Sequence, residues 1–255
     1  TFQKFHWLYM QNSNGEKAAL ELGVNRERVE VIGDSKYDAH QPITDEEKEQ
    51  LRKTFNLKAD TPVWIAGSTH AGEEEIILNA NRKLMAKHPD LVLILAPRRM
   101  ERVEAVTALL KKENFSFVLW SSLEHAESAS VILLDTMGEL AKVYSLGQIA
   151  FVGRSLILPG GGHSLIEPLS HGLPVLHGPY IENIGHVSQM AHHEGLAFQV
   201  ANMEELEQKA HTLLENTSQR IDIAKKAKTF LAQQQGASKK MAEIITKCLS
   251  IPKPN

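Results

Sequence analysis

The chain has 255 residues, 42% of them hydrophobic and 23% charged, with a net charge of -3 and a pI near 6.4. That composition fits a globular protein with a sizeable core, and its balanced charge leaves no basic footprint for nucleic acid, so no nucleic-acid partner is expected. A single cysteine, Cys248, excludes an internal disulfide and a cysteine-based zinc site, and no apolar run approaches the roughly 20 residues that cross a bilayer.

In chain order, Thr1 opens without an initiator methionine and leads straight into FQKFHWLYMQNSNGEKAALELGV, which reads as the interior of a fold, so a fragment is expected. Ser13 to Leu22 reads as a short helix, with Ser13 or Asn14 as its cap and Gly23 closing it, and Val29 to Ile32 reads as a strand. Pro42 and Thr44 mark a polar junction, which places a domain boundary there. Thr44 then caps an acidic helix, Asp45 to Phe55, with Leu51 and Phe55 on one face.

Val63 to Ala66 is a buried strand that turns at Gly67, and Ser68 or Thr69 is placed to cap a helix whose first turn carries Glu73, Glu74 and Glu75. Acids in a first turn are favourable with the helix dipole, which is sufficient reason for them. Gly67, Ser68 and Thr69 are also the small, hydroxyl-bearing set that lets a phosphate approach backbone amides. The acids oppose an anion unless they point away, so a cation is needed. Arg98, at the end of the strand Leu91 to Ala96, supplies one whose guanidinium matches phosphate or carboxylate at two points; the plainer reading is a surface charge at a helix start. A helix Met100 to Glu113, a strand Phe115 to Leu119, a polar connector and a strand Val131 to Leu134 follow. Asp135 or Thr136 then caps a helix running to about Leu146.

The stretch from Ile149 to Pro179 is the part the rest of the chain is built to hold. It reads as a strand (Ile149 to Val152), a glycine turn (Gly160, Gly161, Gly162), a helix and a second strand (Pro174 to Leu176). Glycines where a helix begins let backbone N–H groups meet an anion or a hydroxyl-rich ligand, although such turns also serve as plain tight connections. Glu167 is expected about two turns into a helix that Pro168 keeps short or kinked, where its carboxylate can accept from a ribose diol. His163 lies inside the glycine turn and can donate to a phosphate or a sugar hydroxyl. A helix from Asn183 to Glu194, a strand from Leu196 to Val200 and closing helices at Met203 to Leu214, Ile221 to Gln235 and Lys239 to Leu249 complete the chain, with a break at Gly236.

Strands alternating with helices argue for an α/β fold, a Rossmann-like parallel sheet with helices on both faces. Gly67 to Thr69, Arg98, Asp135 to Glu139 and Gly160 to Glu167 then meet at one edge of that sheet, and this suits a nucleotide-sugar. The histidines show neither HExxH nor another metal-ligand spacing, so no metal site is expected, and no cofactor is called for. Ser155 and Ser164 lack the GxSxG elbow, and the glycine run fits neither GxGxxG nor the Walker pattern.

GSTHAGEEE (67–75), LILAPRRMER (93–102), LLDTMGELAKVYSLGQIAFVG (133–153) and GGHSLIEPLSHGLPVLHGPYIEN (161–183) together resemble the 3-deoxy-D-manno-octulosonic acid (Kdo) transferases of lipopolysaccharide synthesis, and VIGDSKYD (31–38) is similar to that family's segment before its second domain. The resemblance runs from about Gln11 to the end. It implies a GT-B glycosyltransferase of which this chain is the C-terminal half: residues 1–44 the tail of the N-terminal domain and the junction, residues 45–255 the CMP-sugar-binding domain with its closing helices.

It also implies transfer of Kdo from CMP-Kdo to the lipid A precursor, inverting and metal-independent, at the cytoplasmic face of the inner membrane. On this sequence, Ser68, Thr69 and Arg98 would hold the donor phosphate or the Kdo carboxylate. Met137, Gly138 and Glu139 would lie against the cytidine, and Glu167 would take the ribose. Gly67, Gly161, Gly162, His163, Ser164 and Asn183 would shape the pocket. The catalytic base, the lipid-acceptor groove and the membrane-associating segment belong to the family's N-terminal half, so this chain is expected to bind donor and transfer little alone. Ser164 replaces the asparagine of the family's GGHN, and Arg154 stands where a glycine is expected. Two other readings are a GT-B enzyme using a UDP-sugar, as glycosyltransferase or epimerase, and a non-catalytic nucleotide-binding scaffold.

Overall fold

The computed structural model describes residues 4–39, 43–125 and 129–250. It divides into two compact units, Thr1–Gln41 with Thr229–Asn255, and Pro42–Lys228. By contacts, the closing segment from Thr229 groups with the first 41 residues, whereas the sequence reading counted it with the second domain.

The first unit opens with β1 (Leu8–Met10), α1 (Ser13–Glu21) and β2 (Val29–Val31), the two strands paired in parallel. Ala19, Val24 and Val29 form its small core, with Leu8, Met10 and Leu20 packed against it. The cap of α1 is Asn12, which accepts the Gly15 N–H at 3.0 Å, one residue ahead of the two candidates read from the sequence.

In the second unit, α2 (Asp45–Thr54) begins with a reciprocal cap: Thr44 Oγ1 accepts the Glu47 N–H at 3.2 Å, and the Glu47 carboxylate accepts the Thr44 N–H at 2.8 Å. There follow β3 (Val63–Thr69), α3 (Glu73–Lys87), β4 (Val92–Pro97), α4 (Val103–Lys112), β5 (Phe117–Leu119) and β6 (Val131–Leu133). After these come α5 (Leu140–Val143), β7 (Ile149–Val152), α6 (Ile166–Ser170), β8 (Val175–His177), α7 (Gly185–His193), β9 (Ala197–Gln199) and α8 (Met203–Glu215). α9 (Thr217–Gln234) and α10 (Ala237–Ser250) close the chain. The strands β3 to β9 form one seven-stranded sheet, all pairs parallel, in the order β5-β6-β4-β3-β7-β8-β9.

The centre of that sheet is apolar on both faces, as a parallel sheet covered by helices requires. Val63, Ile65, Ile94, Ile132 and Ala150 share one core cluster with Tyr144 and Leu146. Trp64, of the opposite pleat, is fully buried and its indole N–H donates to Asn81 Oδ1 on α3 at 2.8 Å, so the indole nitrogen is satisfied. The expected Rossmann-like parallel α/β architecture is therefore present.

Three local expectations are corrected. Ser68 and Thr69 do not cap α3: β3 continues through them, across an irregularity that keeps Thr69 paired with Pro97, and α3 starts after Gly72, which has φ +88° and no capping side chain. Asp135 is not a helix cap either, because its carboxylate accepts the Ser121 N–H at 2.8 Å and hydroxyl at 2.5 Å, while Gly138 at φ +88° delays the helix to Leu140. The glycines at 160–162 do not open a helix; α6 begins at Ile166 and is five residues long, so Glu167 is its second residue. Pro168 keeps that helix short, as expected. Among the described residues, no helix is long and apolar enough to cross a membrane.

Candidate functional site

The chain proceeds from β3 outward to β4 on one side and later returns to place β7 on the other, so the strand order reverses at β3. Loops leaving the carboxyl ends of strands on either side of such a reversal diverge and leave a crevice. A cavity of about 390 Å³ lies there. β3 supplies Ser68, β4 supplies Pro97 and is followed by Arg98, and the connection after β6 supplies Thr136, Met137 and Gly138. His163, Ser164 and Glu167, from the connection after β7, line it as well, with Tyr144 beneath.

The acidic first turn of α3 faces away from this cavity. Glu73 is fully buried and accepts four backbone N–H groups: His70 at 2.9 Å, Arg154 at 2.7 Å, Ser155 at 2.8 Å and Leu156 at 3.0 Å. Glu74 is also fully buried and meets Arg102 at 3.2 Å (Nε) and 3.0 Å (Nη2), with the Thr69 hydroxyl donating at 3.2 Å. Burial raises the Glu74 pKa, and Arg102 works against that rise. The cation that answers these acids is thus Arg102. Arg98 is left with no carboxylate partner among the described residues.

At the rim, His70 Nε2 and His163 Nε2 lie 2.9 Å apart with their rings stacked at 5.2 Å. One nitrogen must donate and the other accept, so at least one of the two rings is neutral. Burial, then His70, Arg98 and Arg154, push the His163 pKa down to about 4, and burial lowers His70 as well. Arg154 has φ +60°, the left-handed region that glycine takes without penalty, which is why the resemblance has glycine there.

Of the residues expected at the site, Ser68, Arg98, Met137, Gly138, His163, Ser164 and Glu167 line the one cavity. Thr69 does not: it is fully buried and its hydroxyl is committed to Glu74. Glu139 stands off the cavity, near Lys142 at 4.0 Å. Gly67 serves packing, since a Cβ there would overlap the buried Tyr144 hydroxyl. Gly161 and Gly162 are drawn to the loop at 180–184: Gly161 donates to the Tyr180 carbonyl at 3.2 Å and accepts the Asn183 N–H at 2.9 Å. A Cβ on Gly161 would overlap the Asn183 side chain.

From the sequence, Thr136 comes to the site only as part of the loop Asp135 to Glu139, with no role of its own, and Tyr144 and His70 are not placed there. Thr136 Oγ1 is shielded from solvent and has no hydrogen-bond partner among the described residues, although the residue borders the cavity. Its only signal in the sequence was its position after an apolar strand, which also suits a cap.

With Glu73 and Glu74 turned inward and paired, Arg98, which has no carboxylate partner among the described residues, and the Glu167 carboxylate line one cavity and form a site for an anion joined to a hydroxyl-bearing group. No family model matches the chain. The 3-deoxy-D-manno-octulosonic acid transferase of Haemophilus influenzae is 37% identical over 240 residues, 92% of this chain and 55% of that protein. The C-terminal CMP-Kdo binding domain of WaaA from Acinetobacter baumannii superposes with a TM-score of 0.68 at 29% identity, over 73% of this chain and 96% of that domain. Anabaena Alr3699/HepE in complex with UDP-glucose shares the fold at a TM-score of 0.63 and 16% identity, over 98% of this chain and 65% of that one. The chain spans about half the length of the curated transferase it matches, 55%. With its GT-B-type parallel sheet and these relatives, it belongs to the 3-deoxy-D-manno-octulosonic acid transferase family and corresponds to that family's C-terminal portion.

Proposed function

We propose that the cavity at the carboxyl edge of the sheet binds CMP-Kdo and that the chain is the donor-binding portion of a Kdo transferase, with residues up to the 42–44 junction belonging to an N-terminal domain. The observation that carries this reading is that Ser68 and Arg98 share one cavity with Glu167 while Glu73 and Glu74 are turned inward and paired. Arg98 and Ser68 hold the donor phosphate or the Kdo carboxylate. Thr136, Met137 and Gly138 border the nucleoside, and Glu167 accepts from the ribose hydroxyls.

In the transfer, an acceptor hydroxyl oxygen bonds to the anomeric carbon from the face opposite the departing group. The bond from that carbon to the phosphate oxygen breaks with its electrons on the phosphate. Negative charge therefore grows on CMP, where the Arg98 guanidinium stabilises it more in the transition state than in the ground state. The acceptor's proton goes to a base outside this chain. The acceptor is the lipid A precursor, and the reaction takes place at the cytoplasmic face of the inner membrane in the full-length enzyme. Alone, the chain binds donor and transfers little or none.

Calorimetric titration with CMP, with UMP as control, tests this. CMP is expected to bind in preference to UMP, and Arg98→Ala to weaken CMP about 10- to 100-fold, the worth of hydrogen bonds to a charged group. Equal binding of UMP would point to a UDP-sugar enzyme. Absence of CMP binding, or an unchanged affinity in Arg98→Ala, would overturn the assignment.

A further inference from the structure

We infer that the seam between α3 and α8 carries a site for a divalent transition-metal ion, built from His88, His211 and Glu215. One ligand atom from each of the three lies within 4.8 Å of the others, and among the described residues no other histidine, cysteine or carboxylate group of three comes together in this way. His88 caps the carboxyl end of α3, where its N–H donates to the Leu84 carbonyl at 2.8 Å. His211 and Glu215 are four apart on α8, which puts them on one face of that helix. The sequence reading compared histidines with one another and so passed over a histidine and a glutamate at that spacing, with the third member 123 positions before His211.

The geometry is close to that of a ligand set without its ion. His88 Nε2 and His211 Nδ1 face each other at 3.0 Å, so a lone pair of one ring already points along the line between them. Glu215 Oε1 lies 3.6 Å from His88 Nδ1, the ring nitrogen that does not face His211, so the carboxylate reaches the two facing nitrogens only by turning about its own side chain. Zinc bonds to imidazole nitrogen and carboxylate oxygen are about 2.0–2.2 Å, which sets donor atoms about 3.3–3.5 Å apart around a tetrahedral ion. The imidazoles need to part by only a few tenths of an ångström, and the mostly exposed Glu215 side chain is free to swing in. Three protein ligands leave the fourth position to water.

The surroundings support occupancy. Lys87 pairs with Glu207 at 2.7 Å and Lys83 with Glu204 at 4.0 Å, so two contacts independent of the histidines hold the same helices side by side, while Arg220, which interacts with Glu215, donates to the Leu213 and Leu214 carbonyls. Two imidazoles and one carboxylate suit zinc, copper or nickel and give magnesium or calcium little to hold. The site lies at the far end of α3 from Glu73, about 20 Å along a helix of this length, so its office is to clamp two helices together rather than to take part in transfer.

The test is titration of the tag-free chain with ZnCl2, with MgCl2 as control, followed by calorimetry and by the thermal unfolding midpoint. One equivalent of zinc is expected to bind and to raise the midpoint, EDTA to reverse the rise, and magnesium to do neither. Cobalt(II) is expected to give visible absorption of tetrahedral intensity. His211→Ala and Glu215→Ala, neither of them in the buried core and both checked for retained fold by circular dichroism, should each weaken zinc at least tenfold. No zinc binding by the parent chain, or equal binding by both variants, would overturn the proposal.

Discussion

Glu73 accepts the backbone N–H of Ser155, 82 positions further along the chain, at 2.8 Å. The first turn of α3 is thereby tied to the loop that follows β7, and the same carboxylate also takes the N–H groups of Arg154 and Leu156. Replacing Glu73 with alanine strands four backbone donors, those of Ser155 and Leu156 buried and each costing about 1–3 kcal/mol. A loss of at least about 3 kcal/mol is expected in urea unfolding, with a smaller loss for Glu73→Gln, which keeps one carbonyl acceptor. An unchanged midpoint in the alanine variant would refute this account.

Glu74 and Arg102 make a second interior tie, and its sign with pH follows from burial. Glu74 has a folded pKa above its unfolded value, so its carboxylate opposes folding once the pH exceeds the carboxyl range, and Arg102 offsets that opposition. Arg102→Met is expected to cost about 2 kcal/mol at neutral pH, below the usual cost of breaking a buried pair because Arg102 is partly exposed. The loss should shrink as the pH falls through the range where Glu74 protonates. Adding Glu74→Gln to Arg102→Met should recover most of it, and a loss independent of pH would argue against the charge pairing.

Thr136 offers a test that separates ligand from fold. Its hydroxyl has no partner among the described residues, so Thr136→Val removes no internal hydrogen bond there and should leave the unfolding midpoint almost unchanged. If the hydroxyl serves the bound nucleotide, CMP affinity should fall about 2- to 10-fold, the worth of a neutral hydrogen bond. A folded variant with undiminished affinity would remove Thr136 from the binding site.

His163 has a folded pKa near 4, below the value it has when unfolded. The unfolded chain therefore binds its proton first, and stability contributed by the neutral imidazole is present above the unfolded value and is lost as the pH falls towards 4. His163→Gln should flatten the slope of stability against pH in that window by up to one proton. Parallel pH profiles of the two proteins would rule this out.

Gly67 faces Tyr144 without room for a methyl group. Gly67→Ala is expected to cost about 1–3 kcal/mol by overpacking. Combining it with Tyr144→Phe, which removes the hydroxyl that the new methyl would strike first, should return part of that loss. Simple additivity of the two changes would show that the contact is not the cause.

Much of the sheet was legible because β3, β4 and β7 are uninterrupted apolar runs ending at small residues, and the pattern of a buried parallel strand depends little on distant context. Arg98 and Glu167 were legible for the same reason: each stands just past a recognisable strand or glycine turn. The destinations of side chains at a strand's end were not. Thr69 has the chemistry of a phosphate ligand, yet it points to Glu74, because pairing with Pro97 carries β3 beyond the expected turn. Arg102 could not be chosen over Arg98 as the partner of an acid 28 positions away without the packing of α3 beside it. β1 went unread since Leu8–Met10 is too short to show alternation, and it gains its partner only at Val29.

The pairing of the first residues with the last ones has a consequence for the order of events during synthesis. Pro42–Lys228 is continuous, so all seven strands of its sheet are available before the final helix has left the ribosome. Asp38, by contrast, holds the N–H groups of Gly236 and Ser238 at 2.7 Å, 198 and 200 positions later. At about 5–20 residues per second the wait for those partners is roughly ten to forty seconds, far longer than a small core needs to form. Throughout that interval Tyr37 lacks Phe230, whose ring later packs edge-on against it at 6.4 Å.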